Sequence, residues 1–409
     1  MKVVGIIAEY NPFHNGHAYQ IKRIKEELKP DYILIAMSGD FVQRGTPAIT
    51  DKYTRSAMVL ACGADLVLEL PTLWATSSAE YFASAGVSLM EKTKVVDTLC
   101  FGAECDNLPL LTNVAHVLSE KDPSLEALIA TLVSEGNSYP VARNLALHKK
   151  YDFPGLDELL KSPNNILAIE YLKAMAGTSL MPHIIRRNGD DYHTTTATGP
   201  LTSATAIRQL LKNGTLEKVE EYLPSDAAFF FREALLKQQY LLDDDLSQAL
   251  GYALLQSLGK YDEYADCSRE LADKITSNLP GFEGFHSFCE LLKTKEITYS
   301  RISRALLHIL LQHTKKDYDC YKGMGYIPYL RILGFRKESA PLLRRLKEEA
   351  TVPMISKVAD ASTLLSKDAY TLLQKDLQAA ELYNQLIRVK TGVHIPNDFS
   401  HEIVIFAQP

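Results

Sequence analysis

The sequence lacks both of the common glycine-rich nucleotide-binding fingerprints. No GxxxxGK[ST] pattern occurs among its 409 residues, and no GxGxxG follows the first apolar segment. Proteins of the P-loop and dinucleotide-binding classes hold phosphates with these turns. Ordinary P-loop NTPases and dinucleotide dehydrogenases are therefore weak candidates, and a nucleotide site would need a different turn.

Long apolar segments are also missing. No uninterrupted apolar run approaches the ~20 residues needed to cross a bilayer, and the apolar stretch at residues 3–8 is too short for a signal peptide. We therefore expect a cytoplasmic protein that has no membrane partner.

Cysteine is sparse and shows no paired spacing. The chain has six cysteines, of which only Cys100 and Cys105 lie close together, and no CxxC pattern occurs. Zinc sites and disulfide scaffolds rely on paired cysteines. We predict buried or inert thiols and no set of metal ligands.

Composition and periodicity indicate a folded α/β protein of more than one unit. Hydrophobic residues make up 46% of the chain and charged residues 23%, which are ordinary globular values. In the first half, short apolar runs alternate with helical patterns, which is typical of a parallel sheet covered by helices on both faces. The predicted strands are 3–8, 32–37, 66–69, 95–101 and 183–186, and the predicted helices lie near 16–28, 51–61, 76–90 and 108–120.

The pattern changes near residue 215. Beyond it, apolar residues recur at helical spacing, as in Leu246, Leu250 and Leu254. The sequence therefore predicts a Rossmann-like domain over 1–215 followed by a mainly helical domain over 216–409.

The turn after the first predicted strand contains two histidines. His14-Asn15-Gly16-His17 lies where an open parallel sheet binds ligands, at a strand's carboxyl end and a helix start. Gly16 would let a phosphate approach the backbone, and histidines three positions apart can face the same phosphate. Imidazolium or N–H donors there would stabilise charge at the α-phosphorus. Each histidine alone could equally be a surface or core residue, but the pair in this context favours a nucleoside-triphosphate site.

A second segment, Thr202 to Arg208, has hydroxyl side chains ahead of a predicted helix. Ser203 could cap that helix, and Arg208 could reach an anion held at its start. A capped helix with an exposed arginine is also a common surface feature, so the segment gains weight only through its pairing with the histidine turn.

The two segments together resemble the HxGH and SSTxIR-type signatures of the nucleotidylyltransferase superfamily, although the second reads Thr-Ser-Ala-Thr here. A narrower resemblance links the chain to the bacterial tRNA(Met) cytidine acetate ligase family. The segments that carry it are 9–17, Met37 to Gly45, Phe101 to Glu104, Ser162 to Leu167 and Thr298 to Arg304.

The resemblance implies an ATP-dependent ligase with a Rossmann-like nucleotidylyltransferase domain. It would activate acetate as acetyl-adenylate and transfer acetyl to the wobble cytidine of elongator tRNA(Met), giving N4-acetylcytidine, AMP and pyrophosphate. His14 and His17 would be catalytic, and Mg²⁺ would accompany ATP. The implied ATP-binding residues are Ile7, Ala8, Glu9, Tyr10, Asn11, Pro12, Phe13, His14, Asn15, Gly16, His17, Ala18, Tyr19, Gln20, Gly102, Asn164, Arg186 and Arg187.

Several of these residues could instead have purely structural roles. Gly102 could be a turn glycine, Asn164 a helix cap, and Arg186 and Arg187 a solvated pair. Asp40 and Arg44, past the second predicted strand, are further possible contacts to a phosphate or to substrate, as are Ser203 and Arg208.

The charge distribution indicates a polyanionic partner for the second half. Residues 291–350 carry 13 basic and 6 acidic side chains, a net of +7, which leaves −13 for the rest of a chain of net charge −6. Tyrosines lie among these cations, as on surfaces that bind unpaired bases, although such tyrosines are more often core residues. Arg301 and Arg304 are the predicted tRNA contacts.

Two other functions stay open. One is an adenylyltransferase acting on a phosphorylated cofactor precursor, for which the large helical half has no obvious task. The other is a non-catalytic, nucleotide-regulated RNA-binding protein, for which the histidine pair would be unnecessary.

Overall fold

The computed structural model describes residues 1–120, 122–137, 139–151, 155–187, 202–214 and 216–407. The strands are β1 Val3–Ala8, β2 Tyr32–Ser38, β3 Phe41–Val42, β4 Thr46–Pro47, β5 Leu66–Leu70, β6 Thr98–Ala103, β7 Met181–Arg186, β8 Leu330–Arg336, β9 Met354–Ile355 and β10 Val404–Phe406. The helices are α1 Asn15–Leu28, α2 Lys52–Ala61, α3 Thr72–Ala75, α4 Ala79–Thr93, α5 Leu108–Ser119, α6 Pro123–Ser134, α7 Tyr139–Lys150, α8 Leu156–Lys161, α9 Pro163–Met175, α10 Ala204–Lys212, α11 Leu216–Val219, α12 Ser225–Leu236, α13 Ser247–Gln256, α14 Arg269–Asn278, α15 Phe285–Leu292, α16 Tyr299–Leu311, α17 Lys315–Gly323, α18 Ala340–Glu349, α19 Ala361–Leu364 and α20 Lys367–Thr391.

The central sheet has the strand order β7-β6-β1-β2-β5-β8-β10, with β9 beside β8. The first five of these strands are parallel, so the predicted Rossmann-like α/β fold is confirmed. Strand β8 runs antiparallel to β5, and β9 and β10 run parallel to β8. The later half of the chain, which is mainly helical as predicted, therefore also completes the sheet.

The strand predictions differ from the structure at the start of β6, and strands β3, β4, β8, β9 and β10 were not predicted. Strand β6 begins at Thr98, because the buried residues Val95 and Val96 belong to the turn before it. The apolar run of strand β8 is interrupted by Arg331 and ends at Arg336, so it is too short to stand out in the sequence. The division at 215/216 stays a prediction, and residue 215 itself lies outside the described part of the chain.

Side chains of β1 point to both faces of the sheet, and each face packs against its own hydrophobic core. Val3 and Ile7 face the core made with α3, α4 and α9, whereas Val4 and Ile6 face the core made with α1, α2 and α12. A third core lies within the helical half, among α13 to α16 and α20. Burial of both sheet faces explains why the predicted strands are continuously apolar.

A buried cluster of charged side chains fastens the C-terminal segment to the sheet. Lys52 Nζ lies 2.9 Å from Glu69 Oε1 and 2.7 Å from Asp398 Oδ2. Arg331 completes the cluster, with a nitrogen 2.8 Å from Glu69 Oε2 and another 2.8 Å from Asp398 Oδ2. All four side chains are buried. Each charge therefore relies on its partners in place of water.

We expect Asp398→Asn to destabilise the protein by about 3–5 kcal/mol, because it leaves Lys52 and Arg331 partly uncompensated in the interior. Urea unfolding followed by circular dichroism would measure the shift. The matched control is Glu348→Gln, which removes an exposed ion pair with Arg344 and should change stability by under ~1 kcal/mol. Equal shifts for the two variants would contradict the role of the cluster.

Candidate active site

A cavity opens at the carboxyl ends of β1 and β6, where the turn after β1 leads into α1. The predicted site residues that line it are Ile7, Ala8, Glu9, Tyr10, Asn11, His14, His17, Gln20, Arg44, Gly102, Asn164, Arg187, Ser203 and Arg208. Residues as distant in sequence as the first strand and α10 thus meet at one place. This edge of the sheet is where parallel α/β folds bind their ligands.

The two histidines cap the helix that they begin. The Nδ1 atom of His14 accepts a hydrogen bond from the Gly16 amide at 3.0 Å, and that of His17 accepts one from the His14 amide at 3.2 Å. Their rings stack with centroids 3.8 Å apart. Because each Nδ1 is an acceptor, the proton of each neutral ring resides on Nε2. Both side chains therefore offer an Nε2–H donor.

Both imidazoles are held in the neutral form. Burial, with the nearby charges of Arg187 and Arg208, lowers the pKa of His14 to about 3. Burial, His14 and Arg187 likewise lower the pKa of His17 well below its ordinary value. The sequence left open whether these histidines act as imidazolium ions or as neutral N–H donors. The lowered pKa values favour neutral donors.

Three helices begin at this cavity. Helix α1 starts at the histidine turn, α9 presents Asn164 in its first turn, and α10 is capped by Ser203, whose hydroxyl accepts the Ala206 amide at 3.1 Å. The positive ends of the helix dipoles favour an anion there. Their convergence predicts a site for a strongly negative group.

Three arginines add positive charge to the same wall. Arg208 is fixed by hydrogen bonds to the Asn11 carbonyl oxygen at 2.9 Å and to Thr205 Oγ1 at 3.1 Å. Arg187 lies beside Gly102, where an added Cβ would approach the Arg187 side chain to 3.3 Å. Arg44 enters from the hairpin formed by β3 and β4. The absence of a side chain at Gly102 therefore leaves room for Arg187, in addition to any ligand.

Asn164 has a partner within the wall. Its Nδ2 donates to Glu104 Oε1 at 2.5 Å, and Arg187 Nε lies 3.9 Å from the same oxygen. The next residue, Asn165, accepts the Cys105 amide at 2.9 Å. The first turn of α9 is thus fastened to the end of β6, which holds Asn164 at the cavity.

The cavity also has an apolar wall, which was not predicted from sequence. It is made by Phe82, Phe101, Leu167 and Tyr171. These residues come from α4, β6 and α9 and show no local pattern that distinguishes them from core residues. The buried Tyr171 hydroxyl has no hydrogen-bond partner in the described part of the chain, nor does Nε2 of Gln43, which also lines the cavity. Both atoms are available to a ligand.

The loop that carries Gln43 and Arg44 is held in place by hydrogen bonds and close backbone contacts. Glu9 Oε1 accepts the Gln43 amide at 2.8 Å, and Asn11 Oδ1 accepts the Ile49 amide at 2.8 Å. Gly45, whose φ is 76°, lies against α16, where a Cβ would come within 2.4 Å of the Arg304 amide nitrogen. Only glycine fits this left-handed, crowded position. The helical half therefore helps to place the loop.

Arg55 is a further residue that sequence reasoning missed. Its guanidinium is fully buried and donates to the carbonyl oxygens of Glu9 at 2.8 Å, Ser38 at 2.9 Å and Thr50 at 3.0 Å, and also to that of Gly39. It joins the ends of β1 and β2 to the loop behind the cavity.

Several predicted residues lie outside the cavity wall. Pro12, Phe13, Asn15, Gly16, Ala18 and Tyr19 form the turn and first helical turn without lining it. Arg186 is exposed and pairs with Asp106 at 3.3 Å. Asp40 is buried, accepts the Lys52 amide at 2.8 Å and lies 3.7 Å from Lys52 Nζ, beside the charged cluster. Burial raises its pKa to about 7.

The two predicted tRNA contacts lie on α16. Arg304 Nε donates to Asp266 Oδ2 at 2.8 Å, and Arg301 Nε donates to the Asp266 carbonyl oxygen at 3.4 Å. Burial opposes ionisation of Asp266, but Arg304 and His308 outweigh it and hold its pKa below the usual range. Both arginines are partly buried, and Arg304 belongs to an internal ion pair.

Most tyrosines of the basic segment are core residues. Tyr318, Tyr321 and Tyr329 are buried, which removes them as stacking platforms for bases. Arg331 belongs to the buried cluster. The net charge of residues 291–350 therefore overstates the positive surface that this segment offers.

A family model described as HIGH Nucleotidyl Transferase matches residues 1–394 of the chain. The chain is 36% identical over 407 residues to the tRNA(Met) cytidine acetate ligase of Thermoanaerobacter sp. strain X514, covering 99% of this chain and 100% of the relative. It is 35% identical over 418 residues to the protein of the same name from Clostridium perfringens strain SM101, with 99% and 100% coverage.

Two solved structures of Thermotoga maritima TmcAL are similar over their whole length. The apo form superposes with a TM-score of 0.94 at 28% sequence identity, and each chain is covered completely. The form bound with alpha-thio ATP superposes with a TM-score of 0.91 at the same identity and coverage. Within the described residues, no helix is both long and apolar enough to cross a membrane.

We expect His14 and His17 to stay neutral in the folded protein well below pH 6.5, because burial disfavours their charged forms. The unfolded chain binds these protons near pH 6.5, so the stability that they contribute is present above that pH and is lost as pH falls toward the folded pKa. Long-range ¹H–¹⁵N spectra of histidine-labelled protein would report the Nε2–H tautomer. Urea-unfolded protein is the control, and folded-state titration of these rings near pH 6.5 would contradict the expectation.

Proposed function

This chain belongs to the HIGH nucleotidyl transferase family and, within it, to the tRNA(Met) cytidine acetate ligases, and from that premise we infer its reaction. It is an ATP-dependent ligase that acetylates a cytidine of tRNA(Met). We propose that acetate is the acyl donor, that acetyl-adenylate is the intermediate, and that the target is the wobble cytidine of the elongator tRNA. AMP and pyrophosphate are the by-products.

The proposed mechanism rests on one observation. The two Nε2–H donors of His14 and His17 lie in a cavity at which three helices begin. Such a site suits a triphosphate, because donors and dipole ends that are fixed in advance stabilise its negative oxygens without reorganisation. We propose that His14 and His17 bind the α-phosphate region, with Arg187 and Arg208 on either side. Neutral donors stabilise charge without giving up a proton.

In the first step, an acetate oxygen attacks the α-phosphorus. An O–P bond to acetate forms, the bond to the β-phosphate oxygen breaks, and pyrophosphate leaves with the electron pair. Negative charge grows on the non-bridging oxygens, and donors fixed in advance stabilise it without reorganisation. Arg44, held beside the cavity by its hairpin, is placed to hold the acetate carboxylate.

The apolar wall supports a site for the adenosine part of ATP. Phe82, Phe101 and Leu167 provide a surface on which adenine can pack, and the Tyr171 hydroxyl offers it a polar contact. We propose that Asn164 and the Gly102 backbone lie against the ribose. The other proposed ATP contacts are the segment from Ile7 to Gln20 and Arg187, whereas Arg186 lies at the surface.

We propose that Mg²⁺ arrives with ATP. Among the described residues, no group of three or more His, Cys, Asp or Glu side chains could hold a metal, and Glu9 is the carboxylate that lines the cavity. Such a site fits a cation that keeps its waters and phosphate ligands, and the ion would neutralise phosphate charge. ATP and tRNA as substrates support a cytoplasmic location.

The two alternatives are less favoured. Relatives that carry the ligase name match the chain over almost its whole length, helical half included. An adenylyltransferase acting on a small precursor would leave that half without a task. A purely binding protein would not need two donors fixed at the α-phosphate position. We propose that residues 1–215 form the catalytic domain and that 216–409 bind tRNA.

Purified protein with ATP, acetate and Mg²⁺ should exchange labelled pyrophosphate into ATP, and it should acetylate a cytidine in methionine tRNA, as seen by mass spectrometry of nucleosides. His14→Asn and His17→Ala should each lower exchange about 100- to 1000-fold, the effect of removing one fixed donor. Asparagine caps helices well, so His14→Asn should fold like the parent.

His116→Ala, which changes an exposed histidine on α5, is the matched control and should retain activity within about twofold. Absence of exchange by the parent protein, both alone and with tRNA, would refute the acetyl-adenylate step. Full exchange by both histidine variants would refute their role.

A further inference from the structure

A second cavity, of about 260 Å³, adjoins the first. Arg44, Thr205 and Arg208 line both, so the two cavities meet at these three side chains. The second cavity otherwise uses different residues, and none of the sequence predictions assigned it a role. Its volume approaches the lower end of the range for small-molecule sites.

The walls of the second cavity come from both halves of the chain. The first half supplies the hairpin residues Thr46 and Pro47, with Ile49 and one side of α10. The second half supplies residues 241–243 and side chains from α15 and α16. A ligand here would therefore contact the catalytic domain and the helical half together.

Two aromatic rings on α15 and α16 are fixed in this wall. His286 Nδ1 and the Tyr299 hydroxyl are hydrogen-bonded at 2.8 Å, with ring centroids 5.6 Å apart. The His286 amide donates to Asp244 Oδ1 at 2.8 Å, which anchors the start of α15. His286 is exposed, and Tyr299 is partly buried. Such rings stack on unpaired bases.

The polar groups of this cavity suit a nucleotide. Lys212 and the two shared arginines provide cations for phosphate, and Lys212 Nζ lies 3.3 Å from Asp243 Oδ2. Asp243 and Glu290 provide acceptors for ribose hydroxyls, and the 2′-hydroxyl distinguishes RNA from DNA. Pro47, Ile49 and Leu241 give an apolar floor for a base.

We propose that the second cavity binds the unpaired acceptor cytidine of the RNA substrate, with its base against His286 and Tyr299 and its N4 amine directed through the shared residues. The proposal rests on the proposed function. In the transfer step N4 attacks the acetyl carbonyl carbon, an N–C bond forms and the C–O bond to AMP breaks. AMP leaves with the electron pair, and N4 loses one proton to solvent.

The test separates adenylation from transfer. His286→Ala and Tyr299→Leu should lower kcat/KM for acetyl transfer to full-length tRNA(Met) at least ~10-fold, the effect expected from loss of base stacking. ATP–pyrophosphate exchange should remain within twofold of the parent. Tyr299→Phe keeps the ring and should retain most transfer, and His116→Ala is the exposed-histidine control.

A cross-linking experiment tests the site without turnover. A tRNA with 5-iodocytidine at the wobble position is irradiated in complex with the protein, and the attached peptide is mapped. We expect attachment within α15 or the first turn of α16. Attachment elsewhere would overturn the proposal even if the ligase reaction is confirmed.

The exchange and transfer assays also distinguish failure of the acceptor site from failure of the proposed function. Normal transfer by both His286→Ala and Tyr299→Leu would overturn the acceptor site. Loss of exchange in these variants would also overturn it, since the cavity would then serve ATP or acetate. A parent protein that cross-links as expected but shows no exchange would contradict the proposed function and leave the RNA site supported.

Discussion

The buried guanidinium of Arg55 is the interaction on which the active-site edge depends. Four carbonyl oxygens, at the ends of β1 and β2 and in the loop that follows, converge on it. Burial lowers its pKa, although the nearby Asp40 and Asp51 oppose that shift. An arginine keeps its charge in proteins, so these carbonyls take the place of water around it. They cannot move apart without exposing that charge to an apolar interior. The backbone at Glu9, immediately before the histidine turn, is therefore held in one position.

This rigid frame holds the two histidines where they cap a helix and where we propose that they act on ATP. The Nδ1 atoms of His14 and His17 cap α1 and replace the Ser and Glu side chains of an ordinary capping box. Capping fixes the tautomer, because an Nδ1 that accepts an amide proton leaves the ring proton on Nε2. A serine cap would satisfy the same amides but would present no second donor. The spacing of three residues is thus required by the helix terminus, and the same spacing gives the two Nε2–H donors that we propose for the phosphate.

The sequence alone predicted what depends on local pattern. Continuous apolar runs predicted β1, β2 and β5, and the histidine turn predicted where the cavity opens. Interactions between distant segments gave no such signal. Arg55 and Arg331 look like surface residues in sequence, since only the folded chain shows the carbonyls and carboxylates that surround them. Tyr171 and its neighbours resemble any core helix, and the second cavity unites segments more than 250 residues apart in the chain, such as those of Arg44 and Tyr299.

The contact between Gly45 and α16 links the two cavities mechanically. The Ser303 hydroxyl donates to the Gly45 carbonyl oxygen at 3.0 Å, and the close backbone approach leaves no room for a side chain. The same helix begins with Tyr299 in the second cavity, while the loop on the other side of the contact carries Arg44 into the first. A displacement of α16 would therefore move Tyr299 directly and Arg44 through Gly45. The three side chains at the junction, Arg44, Thr205 and Arg208, all come from the first half of the chain. Through Gly45, the helical half therefore helps to position one of them, Arg44.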